Sequence, residues 1–305
     1  MFERLAADPV DESRMILDCG IATYQPTKVY ALFSGGHDSL CAAHIAAQHP
    51  GFAGCVHICT GIGIPETSQY VRETCAQYGW PLQEFTPPKS YDELVMAYGF
   101  PGPSMHYVMY SALKERCLRA LVRKEGLSRK CRQCHRLTHA RKTFGTDLRI
   151  NHPYNPACIL LVSGVRLEES KRRMAYGKHY HQEGPRVFCA PILGWSNAER
   201  HAYMADQGLS HNPVADKLCM SGECLCGAFA SENEIQELER WYPEVAQRIH
   251  DLEAKVARTT DKPCQWGKEP KEPYIPDPNQ NDLFSLCWSC GNKPLTYSEA
   301  EETSA

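Results

Sequence analysis

Six consecutive residues, Ser34-Gly35-Gly36-His37-Asp38-Ser39, constrain the fold of this chain more than any other stretch. They follow a continuous apolar run, VYALF, and lead into SLCAAHIAAQH, whose small and apolar residues read as a helix. A strand buried on both faces, a tight turn and a helix form the opening unit of a parallel α/β sheet. The paired glycines supply positive φ and let backbone come close to an anion. The helix start adds unpaired N–H groups and the positive end of a dipole. Ser34 and Ser39 contribute hydroxyl donors, while Asp38 is placed to cap the helix or to help hold Mg²⁺. All six residues are candidate nucleotide-site residues, Asp38 through the cap or the metal rather than by touching phosphate.

The pattern then repeats the same grammar. Strands are expected at AGCVHIC, PLQEF and ACILLVSGV, with helices from about Glu66 to Tyr78 and from Ser104 to about Lys124. A further helix is expected from Ser196 to Gln207, where Ser196 and Glu199 have the spacing of a capping box. This β-α-β-α alternation predicts an α/β doubly wound, mostly parallel sheet with a helical and Cys-rich C-terminal extension. The expected organisation is a helical lead-in over 1–27, the main domain over 28–230, a charged helical segment over 231–266, and a Pro-rich linker with a CxxC tail over 267–305.

Charge and composition exclude several classes. With 33 basic and 36 acidic residues the formal charge is −3, so no global basic field marks a nucleic-acid binder. No window approaches the roughly 18 consecutive apolar residues of a membrane span. MFERLAADPVDESRM lacks the apolar core of a signal peptide, and a soluble, cytoplasmic chain is the expectation.

In that compartment the 16 cysteines read as free thiols or metal ligands rather than disulfides. Cys19, Cys41, Cys55, Cys59, Cys75, Cys117, Cys158 and Cys189 are isolated and expected as buried packing. Cys131-x-x-Cys134 lies in a basic, His-rich segment, and Cys219, Cys224 and Cys226 crowd into KLCMSGECLCGAF. Neighbouring positive charge favours the thiolate that metal binding requires. Zinc and an iron–sulfur cluster both remain open on spacing alone, and Cys264, Cys287 and Cys290 could supply a zinc ribbon.

The string SGGHDS resembles the pyrophosphate loop of N-type ATP pyrophosphatases, with His37 where those enzymes usually carry Lys. HICTGIGIPETSQYVRETCAQYGWPLQEFTP is similar to the corresponding stretch of phosphoadenosine phosphosulfate (PAPS) reductase-like proteins, with Cys59 in place of their Asp before Thr60-Gly61. KCRQCHRLTHARKTF resembles their Cys-containing basic segment. GVRLEESKRR, residues 164–173, matches their Gly-x-Arg-x-x-Glu-Ser-x-x-Arg element. PILGWSNAERHAYMADQGLSHNPVAD with GECLC matches their Pro-Ile…Trp…Asn-Pro…Cys region. The resemblance spans roughly residues 28–230 and implies a nucleotide site that includes Thr60, Gly61, Gly164, Arg166, Glu169 and Arg173. Arg166 would emerge at the carboxyl end of a strand, where open parallel sheets bind ligands. Lys171 and Arg172 continue the positive charge, and a solvated turn neutralised by Glu168 and Glu169 is the alternative.

The same resemblance implies a 4Fe-4S cluster held by Cys131 and Cys134 with partners from Cys219, Cys224 and Cys226. Five candidates for at most four corners leave one thiol, taken as Cys226, to receive or carry sulfur. Asp38 and Arg166 complete the expected catalytic set. The implied activity is an ATP-dependent, AMP- and pyrophosphate-forming sulfurtransferase, similar to the DNA phosphorothioation sulfurtransferase and the tRNA thiolases. ATP and Mg²⁺ are its expected cofactors, and a cysteine desulfurase is an expected sulfur donor. DNA or tRNA would dock on basic residues 129–142 and 166–173. Two alternatives stand beside it: a reductase of adenylylated sulfate (PAPS or APS), and a non-catalytic nucleotide-sensing module. Each requires the glycine cradle and the thiol-rich loop to share one edge of the sheet.

Overall fold

The computed structural model describes residues 6–127, 157–169, 177–231, 233–262 and 265–268. In chain order the elements are α1 (Pro9–Tyr24), β1 (Lys28–Leu32), α2 (His37–Ala47), β2 (Phe52–Ile58), α3 (Pro65–Gln77), β3 (Leu82–Phe85) and α4 (Tyr91–Tyr98). A continuous helical stretch follows, made of α5 (His106–Tyr110), a wider π turn (Ser111–Glu115) and α6 (Arg116–Lys124). Then come β4 (Ile159–Val162), β5 (Tyr180–Glu183), β6 (Arg186–Cys189), α7 (Asn197–Asp206), α8 (Pro213–Leu218), α9 (Glu234–Trp241) and α10 (Pro243–Thr259). Helices α1, α3, α8 and α10 open with Pro in their first turn, where the missing N–H costs nothing.

The six strands form one sheet in the order β3-β2-β1-β4-β6-β5. All neighbours run parallel except β5 and β6, a hairpin that adds an antiparallel edge. The α/β, mostly parallel architecture expected from the sequence is therefore present. Alternate residues of the central strands enter two different cores, as the period of a pleated strand requires. Val29, Ala31, Leu160, Val162 and Val187 pack on the side covered by α1, α2, α3 and α7. Tyr30, Ile159, Leu161 and Phe188 pack against Leu118, Leu121 and Val122 of α6 on the other. A third cluster joins Tyr91 and Leu94 of α4, Leu225 and Cys226, and Ile249, Leu252 and Val256 of α10.

The expected helix from Ser104 to Lys124 is present but widened at Ser111–Glu115. The hairpin β5–β6 has no counterpart among the strands expected from the sequence. Its first strand is half polar, and Arg186 at the start of β6 hides its hydrophobic context. Arg186 is nonetheless buried, because its guanidinium meets Glu115 from the π turn in a two-pronged pair of 2.7 and 2.9 Å, with Glu183 at 2.7 Å. Arg119 adds a bond of 2.7 Å to the same carboxylate.

Burial opposes ionisation of Glu115, but the hydrogen bonds and charge of Arg186 and Arg119 outweigh it and hold the carboxyl below its usual range. Removing one partner of a buried pair leaves the other charge uncompensated. Glu115→Gln is therefore expected to cost about 3 kcal/mol at neutral pH, read from the midpoint of chemical denaturation. Because the folded pKa is the lower one, this contribution is complete above the unfolded value of about 4.5 and fades as pH falls through the folded value. A loss under about 1 kcal/mol, or one independent of pH, would refute the pair's role.

Candidate functional site

The chain turns from β1 into α2 through the Ser-Gly-Gly segment. Gly35 has φ +85°, and a Cβ there would stand 2.7 Å from the Thr67 methyl group, so both conformation and space demand glycine. Ser39 Oγ donates to the Gly36 carbonyl at 2.8 Å and receives the Ser34 amide at 3.3 Å and the Ser34 hydroxyl at 3.2 Å. The buried Asn212 side chain donates to the Gly35 carbonyl at 2.8 Å while its oxygen caps α8 at Val214. Gly36 occupies the N-cap of α2 and no side chain caps that helix. Its first-turn amides and dipole end are thus presented for an anion.

Asp38 does not cap α2. One of its oxygens pairs with Arg166 at 2.9 Å and with Arg200 of α7 at 3.2 Å. Arg166 is 2% exposed and also donates to the Trp195 carbonyl at 3.2 Å and to Asn197 at 2.9 Å. The structure thus places Arg166 as a strut beneath the loop rather than as an open anion ligand. Gly164 makes that approach feasible, since a Cβ there would sit 2.5 Å from the backbone of Asp38 and Ser39. The Glu169 side chain and Lys171, Arg172 and Arg173 lie outside the described residues.

The thiol-rich loop lies against the same turn. A Cβ on Gly36 would come within 3.3 Å of Ser221 Cβ, and Thr67 donates to the Ser221 carbonyl at 2.6 Å. Thr60 is buried and bonds Glu223 twice, from its hydroxyl to the carbonyl at 2.7 Å and from its amide to the carboxylate at 3.3 Å. The neighbouring Gly61 carbonyl accepts from Arg248 of α10. Lys114, directed by the π turn, pairs with Glu223 at 2.9 Å. Tyr91 and Trp266 fix the backbone of the thiol loop, donating to the Cys226 and Leu225 carbonyls at 2.8 Å each.

Cys224 and Cys226, two residues apart in the thiol loop, shift each other's ionisation in opposite directions. The hydrogen bond from Cys226 and the nearby Lys114 charge hold the Cys224 thiol below its ordinary range against the effect of burial. That same bond and burial push Cys226 well up. A thiolate–thiol pair beside a lysine is a suitable donor set for a soft metal. Cys219 is exposed at the left-handed end of α8, and among the described residues it does not join Cys224 and Cys226 as three ligands of one ion. Cys131, Cys134, Cys264, Cys287 and Cys290 lie outside the described residues.

Two of the isolated cysteines depart from expectation: Cys19 is exposed and Cys59 half-buried. Cys59 lies 3.3 Å from the Ser68 hydroxyl, which lies 3.1 Å from His57 Nε2. A hydrogen bond with His57 holds the Cys59 thiol below its usual range despite burial. Asn212 belongs to the Asn-Pro element of the sequence match, but its role does not follow from it, and Arg200, Lys114 and Glu223 carry no signal in the sequence. Their partners are 109 to 177 residues away, beyond any local pattern.

The family model described as the phosphoadenosine phosphosulfate reductase domain matches residues 28–226. No curated protein matches the chain in sequence. Solved structures that resemble it include phosphoadenylyl-sulfate (PAPS) reductase from Candida auris in a phosphate complex, at 16% identity over 67% of this chain and 83% of that one, with a TM-score of 0.42. FMN adenylyltransferase from Candida glabrata with FMN and an ATP analogue has 11% identity, 69% and 60% coverage, and a TM-score of 0.40. U34-tRNA thiolase NcsA from Methanococcus maripaludis with its [4Fe-4S] cluster has 14% identity, 93% and 87% coverage, and a TM-score of 0.33.

The lowered Cys224 thiol is open to test by alkylation followed by peptide mass spectrometry across pH. Modification of Cys224 should rise at a lower pH than that of a free thiol, and Cys226→Ala or Lys114→Met should each move the midpoint upward. A Cys224 midpoint unmoved by both substitutions would refute the roles of Cys226 and Lys114.

Proposed function

The chain belongs to the phosphoadenosine phosphosulfate reductase domain family, and on that premise we propose that it is an ATP-dependent, AMP- and pyrophosphate-forming sulfurtransferase. The observation that carries this reading is the contact of Ser221, in the thiol loop, with Gly36, at the uncapped start of α2. Phosphate chemistry and sulfur chemistry thereby meet on one edge of the sheet.

In this reading an oxygen of the substrate attacks the α-phosphorus of ATP and pyrophosphate departs. Ser34, Gly35, Gly36, His37 and Ser39 hold the departing group, with backbone amides aimed where negative charge develops. Asp38 is a positioning residue, fixing the first turn of α2 through Arg166 and Arg200. Thr60, Gly61 and Gly164 shape the walls around the nucleotide, with Glu169 and Arg173 extending the site and Mg²⁺ sharing the phosphate charge. A sulfur nucleophile then forms its bond to the adenylated centre as the bond to the AMP oxygen breaks.

Cys131 and Cys134 with Cys224 and Cys226 are the proposed ligands of a 4Fe-4S cluster, and Cys219 is the reserve ligand. Such a cluster would supply a place to bind the incoming sulfur; if zinc is held instead, Cys226 carries the sulfur itself. The substrate class is nucleic acid, DNA or tRNA, met by the basic residues of 129–142 and 166–173. A cysteine desulfurase in the cytoplasm would provide the sulfur. The family description favours one second reading, reduction of adenylylated sulfate to sulfite.

Incubation of anaerobically purified protein with ATP, Mg²⁺, DNA or tRNA, and cysteine with a cysteine desulfurase as the sulfur source should yield AMP and pyrophosphate in equal amounts together with a thiolated nucleic acid. Ser34→Ala should lower that rate by about 100-fold, the usual effect of removing one aligned donor. Sulfite formed from PAPS with reduced thioredoxin as the two-electron donor, without ATP turnover, would select the reductase instead.

A further inference from the structure

His37 stands at the start of α2, and the structure pairs it with two residues outside the phosphate loop. Its Nε2 lies 3.2 Å from an Asp216 oxygen, and the same oxygen lies 3.2 Å from His211 Nδ1. The His37 and His211 rings meet edge-on with centroids 5.0 Å apart. One donor atom from each of the three residues falls within a span of 4.8 Å, the one such trio among the described residues. The His37 side chain is nine-tenths buried, yet its Nε2 has no hydrogen-bond partner: the geometry toward Asp216 does not make one.

An unpartnered buried nitrogen facing a carboxylate is costly unless something lies between them. A cation that accepts lone pairs from nitrogen and oxygen together would satisfy it. Two imidazoles and a carboxylate are the donor set of zinc and cobalt(II). A tetrahedral ion with bonds near 2.05 Å separates its ligands by roughly 3.3 Å. The Asp216 oxygen lies 3.2 Å from both imidazoles, within reach of such an edge, and the His211 approach is a hydrogen bond that an ion would replace.

We propose that His37, His211 and Asp216 bind a divalent cation of the zinc or cobalt(II) type at the mouth of the glycine cradle, leaving a coordination position for a phosphoryl oxygen. His211 and Asp216 are exposed, which gives the ion an entry path and an open side. Asn212, next to His211, is hydrogen-bonded to the Gly35 carbonyl, so the site and the cradle move as one body. The bound ion would stand where the resembling pyrophosphatases carry a lysine, replacing its charge. A cation beside the positive end of α2 is disfavoured by the helix dipole. Asp216 offsets part of this, and an anion bridging the two offsets more, so cation and phosphate should strengthen each other's binding reciprocally. The ion site stands on the three side chains alone; its coupling to phosphate rests on the cradle reading of the preceding subsection.

The test uses the full chain and cobalt(II), with inorganic phosphate as the second probe. Cobalt on nitrogen and oxygen ligands gives visible d–d bands, whereas cobalt on the cysteines adds thiolate charge transfer in the near ultraviolet. Wild-type protein should show one equivalent of cobalt whose d–d bands disappear in His211→Ala and in Asp216→Asn, while the thiolate bands persist. Both positions are exposed, and unchanged thermal melting verifies the fold of each variant. Inorganic phosphate should alter the d–d bands of wild type. Equal cobalt uptake and identical spectra in the variants would overturn the ion site. Bands that are lost in the variants but ignore phosphate would overturn its coupling to the cradle. Neither result depends on ATP turnover, so failure here is distinguishable from failure of the sulfurtransferase reading.

Discussion

Winding of the sheet reverses between β1 and β4, and the gap at their carboxyl ends is bridged by one ion pair. The chain leaves β1 toward β2 and β3, then returns to β1's other side to lay down β4 and β6. Ligands of open α/β sheets lodge at such a switch point. Here Asp38, following β1, meets Arg166, following β4, at 2.9 Å, and Arg200 of α7 closes the group. Without that pairing two loops carrying buried charge would face each other across the crevice, and the first turn of α2 would keep only the Ser39 and Asn212 bonds.

A second set of contacts builds the opposite wall, and it relies on backbone meeting backbone. A Cβ on Gly63 would stand 2.3 Å from the Glu223 carbonyl, so the loop after β2 and the thiol loop touch without side chains between them. Ile64 N donates to the Gly222 carbonyl at 2.8 Å in the same contact. The buried Glu223 carboxylate so created needs a counter-charge, and the π turn supplies Lys114. Widened helical turns redirect side chains and recur at functional sites. In this one, consecutive residues face separate duties: Lys114 serves the thiol loop and Glu115 the core pair with Arg186.

What the sequence disclosed was whatever is local. The VYALF strand, the glycine turn and the Ser196–Glu199 capping box all depend on residues within a few positions of one another. The cap is present with both of its bonds. Long-range pairing is another matter. Arg166 reads as an arginine at a strand end with Glu168 and Glu169 beside it; Glu168 does lie 3.4 Å away, but only tertiary packing reveals Asp38 and the Trp195 carbonyl. The hairpin β5–β6 was hidden because its partner strand is an edge with polar alternation and its buried charge depends on Glu115, 71 residues earlier. His37 was legible as a substitution for lysine, but its neighbours His211 and Asp216 carry no signal until the chain folds.

The claim on which the account turns is that a glycine-bent, uncapped helix start binds the phosphates of ATP. Calorimetric titration of ATP with Mg²⁺ into wild-type protein and into Gly35→Ala reads this directly, because an alanine at φ +85° against Thr67 reshapes the cradle and touches no other candidate ligand. The account predicts binding to wild type and at least a tenfold weakening, about 1.4 kcal/mol, in a variant that keeps its far-ultraviolet dichroism. Equal affinity in the folded variant, or no binding to wild type, would contradict it.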